Sequence, residues 1–149
     1  VETAEGWLYV DGVVDRCTRR CVGWSMDDTL ATTLPLAALD MALKQRRPTA
    51  GLMHHSDRGV QYASLAYRQR LAQAGVIPSM SRPGNCYDNA AMESFWSSLK
   101  RELVHRCQFA TRTEAKAAIF EWIEVFYNRE RLHSALGFKS PVDFETQLN

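Results

Sequence analysis

The sequence predicts a mixed α/β domain, with a central sheet of about five strands covered by helices on both faces. Strand-like segments come first, helical and strand-like segments then alternate, and two strongly helical segments follow. That order calls for a sheet assembled from hairpins and crossovers rather than a helical bundle.

Trp7 to Val14 is rich in β-branched and aromatic residues, and Cys21 to Met26 repeats that character after the polar stretch Arg16 to Arg20. Two antiparallel strands follow. Thr3-Ala-Glu-Gly6 has turn chemistry, so Val1 and Glu2 read as the end of an earlier, truncated first strand. Between Thr32 and Gln45, Leu36, Leu39 and Leu43 recur at the spacing of a helix with one buried face, and Pro48 closes it. Gly51 to His55 reads as a short strand. Ser64 caps a helix through about Ala74, which Gly75 ends, and Val76 to Met80 is another short strand. From about Asp88 a helix carries the stripe Met92, Phe95, Trp96, Leu99 and Leu103. Thr111 and Glu114 form a capping box for a last long helix, whose buried face is Ala115, Ala118, Ile119, Trp122 and Phe126. Residues 1–127 are expected to form the core and 128–149 a basic tail packing on or beside it, with Pro141 starting a final turn.

A chain of 149 residues with 46% hydrophobic content is large enough for one closed core. Its 18 basic and 17 acidic residues leave a net charge of +1, so a nucleic-acid surface has to be a local patch. The apolar runs are too short to span a membrane and no segment has the layout of a secretory leader, so a soluble, cytoplasmic protein is expected. Cys17, Cys21, Cys86 and Cys107 lack paired CxxC spacing, so reduced, mostly buried thiols are expected rather than a zinc site.

Asp57 follows a short strand and precedes Arg58-Gly59, so its carboxylate emerges at the carboxyl edge of a sheet, where open α/β sheets bind ligands. Glu93 sits early in the amphipathic helix beside Met92 and Phe95, which places its carboxylate near the buried side. Positions 58 to 92 leave 35 residues between the two acids. Lys100, seven residues after Glu93, falls two turns along the same face and within reach of a phosphate near that acid. Arg101 extends this basic character, and Arg129, Arg131 and His133 supply a second cluster. These five are the candidate contacts to phosphate groups. His54 and His55 are expected to support the Asp57 loop, and Asn89 to order the segment before Glu93.

The runs His54-His55-Ser56-Asp57-Arg58-Gly59-Val60-Gln61-Tyr62, Asn85-Cys86-Tyr87-Asp88-Asn89 through Glu93-Ser94-Phe95, and Leu99-Lys100 resemble motifs of insertion-sequence-three type transposases. Tyr127-Asn128, Arg131, His133-Ser134, Leu136-Gly137 and Ser140-Pro141 match that family's C-terminal signature. The resemblance implies an RNase H-like fold of the retroviral-integrase-like superfamily. It also implies a site of two aspartates and a glutamate, with Asp57 and Glu93 as the second and third acids. Two Mg²⁺ or Mn²⁺ ions would be the cofactors, DNA the substrate, and a homo-oligomer the working form that pairs two DNA ends.

In the family the first aspartate stands in an Asp-Ile-Thr-Tyr motif just before the segment that begins here at Val1. The chain is therefore expected to hold two of three ligands and to be inactive alone. Asp11 and Asp15 are the residues that could be asked to substitute. The competing expectation is a non-catalytic DNA-binding or assembly remnant of a transposase.

Overall fold

The computed structural model describes residues 1–47, 51–56, 64–80 and 90–148. β1 (Glu2–Thr3) and β2 (Gly6–Trp7) form an antiparallel hairpin across the turn foreseen at Thr3 to Gly6. Gly6 takes φ +127°, and the Thr3 hydroxyl donates to the Gly6 carbonyl at 2.6 Å. β3 (Tyr9–Val14) then pairs antiparallel with β4 (Cys21–Asp27), with a register shift at Val13/Val14. The loop between them is held by Asp15, whose Oδ1 accepts from the Cys17 N–H at 2.8 Å and the Thr18 N–H at 3.1 Å.

Helices cover both faces of this pair. α1 (Thr33–Arg46) lies on one face, its buried Ala38 and Ala42 against Gly23. A Cβ at Gly23 would stand 2.9 Å from the Ala42 backbone nitrogen, so the close approach requires glycine. On the other face, a Cβ at Gly12 would meet Phe95 at 3.5 Å and Trp96 at 3.8 Å, both on α3 (Ala90–Glu102). Adjacent strand residues point to opposite faces, so Asp11 turns away from α3.

β5 (Met53–Ser56), α2 (Leu65–Gln73) and β6 (Ile77–Met80) follow, the two strands parallel. Ser64 caps α2 by accepting from the Tyr67 N–H at 3.2 Å, and Gly75 follows with φ +72°. The sequence predicts a mixed central sheet of about five strands; among the described residues the strands pair as three two-stranded sheets. Side-chain packing joins the β5–β6 unit to the rest: Leu39 of α1, flanked by Leu36 and Leu43, meets Tyr67 and Leu71 of α2. No backbone ladder among these residues makes that connection.

α4 (Arg112–Glu121) starts at Thr111, whose Oγ1 accepts from the Glu114 N–H at 3.0 Å. It runs directly into a π-helical segment, Trp122–Glu130. That change corrects the sequence-based face. An unbroken α-helix would bury Phe126, but the wider i→i+5 turns carry Ile123, Tyr127 and Asn128 inward and leave Phe126 36% exposed. The main core joins Leu8, Cys21, Phe95, Leu99, Phe109, Ala115, Ile119, Trp122, Ile123 and Tyr127. Of the described thiols only Cys21 is buried, whereas Cys17 and Cys107 are exposed, contrary to the mostly buried expectation.

α5 (Pro141–Leu148) is tied back by Glu145, which pairs with Arg46 at 2.6 Å and Arg20 at 3.2 Å. No described helix is long and apolar enough to cross a membrane.

Candidate functional site

Asp57 and Asn89 lie outside the described residues, so the convergence of Asp57 with Glu93 is not among the observed distances. β5 ends at Ser56, immediately before Asp57, and the backbone of His55 pairs with Ser79. His54 Nε2 and the Tyr67 hydroxyl share a hydrogen bond of 2.7 Å. Burial, and then the negative charge of Asp11, push the Tyr67 phenol well above its ordinary pKa, so it stays protonated. His54 is thus engaged with α2.

Neither acid considered as a substitute ligand is presented toward α3. Asp11 is 7% exposed and on the sheet face opposite α3. Asp15 caps its own turn and lies 3.5 Å from Arg46.

Glu93 is on α3, and the structure corrects its expected setting: the residue is solvent-exposed. Successive helical residues turn by about 100°, which puts Glu93 half a turn or more from the buried Ala91 and Phe95. It has no salt bridge with another described residue. An exposed carboxylate free of an internal cation suits a hard divalent ion, which prefers oxygen donors and keeps part of its water shell. Among the described residues no group of three or more His, Cys, Asp or Glu could hold a metal, so Glu93 would need acids from outside them.

Lys100 and Arg101 are also exposed on α3. Seven residues separate Glu93 from Lys100, about 10 Å of helix rise, which is within a lysine's reach of a phosphate bound beside Glu93. The Val1 amino group is partly buried and feels the charge of Lys100, and both effects lower its pKa. Arg129 is exposed.

Arg131 and His133 are drawn into the fold. Arg131 Nε lies 2.9 Å from both carboxylate oxygens of Glu102, and a terminal nitrogen reaches Oε2 at 2.8 Å. The His133 ring stacks edge-on against Tyr127 at 5.0 Å, and its Nε2 is buried without a hydrogen-bond partner among the described residues. Burial, with Arg131 and Arg19 adding repulsion, lowers its pKa from 6.5 to about 4. The ring is therefore neutral at physiological pH and unlike a phosphate-binding cation.

Sequence reasoning passed over Asn128. It is 2% exposed, accepts from the Cys21 N–H at 2.9 Å and donates to the Cys21 carbonyl at 3.0 Å. Its signal was present in the C-terminal signature Tyr127-Asn128, Arg131, His133-Ser134, which marks the residue without telling its partner.

Two profiles described as "Integrase core domain" match residues 1–86 and 74–141. The chain is 51% identical over 149 residues to an insertion element IS600 uncharacterized 31 kDa protein of Shigella sonnei, covering 100% of this chain and 55% of that protein. It is 46% identical to a transposase for insertion sequence element IS904 of Lactococcus lactis, covering 97% of this chain and 57% of the relative. Identity is 44% to transposase InsF for insertion sequence IS3fB of Escherichia coli, over 99% of this chain and 51% of the relative. The chain thus spans about half the length of these relatives. Among solved structures, a simian T-cell lymphotropic virus intasome in complex with PP2A regulatory subunit B56 gamma matches with TM-score 0.72 at 11% identity, covering 97% of this chain and 50% of that one. The catalytic core domain of BIV integrase matches with TM-score 0.58 at 15% identity, over 95% and 93%. Those likenesses establish the RNase H-like fold. With both integrase-core profiles matched, the first over more than half of its length, this α/β chain belongs to the integrase core domain family.

Proposed function

We propose that the chain is the catalytic core of a transposase that cuts and joins DNA strands with two bound Mg²⁺ or Mn²⁺ ions. The observation that carries this reading is the exposed Glu93 on α3, with Lys100 seven residues along the same helix, in a chain of the integrase core family. When bound, the ions would activate the attacking oxygen and stabilise the departing one. Asp57 and Glu93 would hold them together with an aspartate from an upstream Asp-Ile-Thr-Tyr segment. Lys100, Arg101 and Arg129 would grip the phosphate backbone, giving salt-sensitive binding with little sequence preference. His55 and Asn89 would support the two acids. A homo-oligomer that pairs two DNA ends, cytoplasmic location, and a division into core 1–127 and tail 128–149 complete the proposal.

The test is strand transfer in Mn²⁺ by the chain extended upstream through that motif, beside its Glu93→Gln variant. The amide keeps the size and removes the charge that a divalent ion needs, so a loss of about a hundredfold or more is expected. Equal rates would remove Glu93 from the metal site.

A further inference from the structure

The segment from Tyr127 to His133 holds α3 at two points. The Tyr127 ring packs edge-on against Phe95 at 5.0 Å and 87°, two residues beyond Glu93. Arg131 takes Glu102, the last residue of α3, in a forked ion pair with contacts of 2.8 and 2.9 Å. Both side chains are about a quarter exposed, 23% and 25%, so the pair is shielded more than an ordinary surface bridge. The segment is itself anchored, because Asn128 hydrogen-bonds both backbone groups of Cys21 on β4. Gripped near Glu93 and at its far end, α3 can neither rotate about its axis nor slide without breaking buried contacts.

We infer that Arg131 is a positioning residue of the active site, acting through Glu102 and α3 to fix Glu93 relative to the sheet. Arg131 serves this purpose in place of contacting DNA. The inference rests on the proposed role of Glu93. It explains why a guanidinium stands at position 131: a lysine would keep the charge but lose the planar fork that sets direction as well as distance.

The experiment uses the upstream-extended protein with Arg131→Gln, Arg131→Lys and the exchange pair R131E/E102R. Three quantities are measured: the Mn²⁺ concentration giving half-maximal strand transfer, the salt dependence of DNA affinity, and hydrogen-exchange protection in the last turns of α3. The expected result is a rise in the Mn²⁺ midpoint of about three- to tenfold in R131Q and R131K, below the range for a group touching a metal ligand directly. Protection at the end of α3 should fall, the salt slope should stay unchanged, and the exchange pair should recover most of the midpoint. R131K keeps the charge and serves as the folded control should R131Q unfold.

A purely structural ion pair would reduce protection and the amount of folded protein while leaving the Mn²⁺ midpoint in place, which overturns the inference. A DNA contact would reduce the salt slope by about one while sparing protection and midpoint, which overturns it as well. Should E93Q be fully active, the reading of Glu93 fails and the inference falls with it. Should E93Q be inactive while R131K keeps the parent midpoint, only the role of Arg131 fails.

Discussion

Replacing Asn128 by alanine removes the one side chain that satisfies both backbone groups of Cys21. Cys21 is 2% exposed and Asn128 is 2% exposed, so water does not readily take over either contact. A buried peptide group left without a partner costs about 1–3 kcal/mol, and two such groups give a loss of about 2–6 kcal/mol. For a domain of this size each kcal/mol lowers the melting temperature by about 2–4 °C, so N128A should melt about 10 °C below the parent. Asn128→Asp keeps the acceptor for the Cys21 N–H but sets an oxygen against the Cys21 carbonyl, and should be at least as damaging. The assay is urea and thermal unfolding at neutral pH, with the exposed neighbour Arg129→Ala as control, expected within about 0.5 kcal/mol of the parent. A loss in N128A below about 1 kcal/mol, or equal to that of R129A, would refute the reasoning.

The depressed pKa of His133 makes stability depend on pH. The folded state holds the ring neutral down to about pH 4, whereas the unfolded chain takes up a proton near 6.5, so the contribution is full above 6.5 and disappears as pH falls toward 4. The ring keeps some access to solvent, which reduces the full shift to an expected loss of about 1–2 kcal/mol across that window. Urea unfolding at stepped pH should show the loss, and His133→Gln should flatten it. Gly23→Ala forces a methyl group against the α1 backbone at Ala38 and Ala42 and should destabilise by about 2–4 kcal/mol, read by the same unfolding assay. Lys100→Ala should lower the slope of log affinity against log salt by about 0.9, with no change in melting temperature; an unchanged slope would remove Lys100 from the DNA surface.

Much of the element order was legible because local chemistry dictates it. Ser64, Gly75 and Thr111 mark helix ends through backbone donors and φ angles that short-range residues alone satisfy. The inward face of the last long helix was not legible past Trp122. Hydrophobic spacing assumes an α-helical period, and nothing local in the run from Trp122 to Glu130 announces the π-helical one. The three separate strand pairs were hidden for a related reason, since ladders between distant strands leave no short-range pattern. At the site, the motifs that marked Asp57 and Glu93 also led to the family. They did not tell that Glu93 faces solvent, because apolar neighbours at positions 92 and 95 flank a position about half a turn from the buried stripe. Arg131 reads as a DNA contact because charge is visible in sequence, whereas its acid partner 29 residues away, Glu102, is not.

The account rests on Asp57 and Glu93 holding the same cations. Replacing Mg²⁺ by Fe²⁺ in the upstream-extended protein, and adding hydrogen peroxide with ascorbate so that the iron generates hydroxyl radicals, cuts the backbone beside each ligand. Cleavage is predicted near both residue 57 and residue 93, with both cuts suppressed by excess Mg²⁺ and both lost in either Asp57→Asn or Glu93→Gln. Cleavage at one position that survives replacement of the acid at the other would show that the two do not share a metal site.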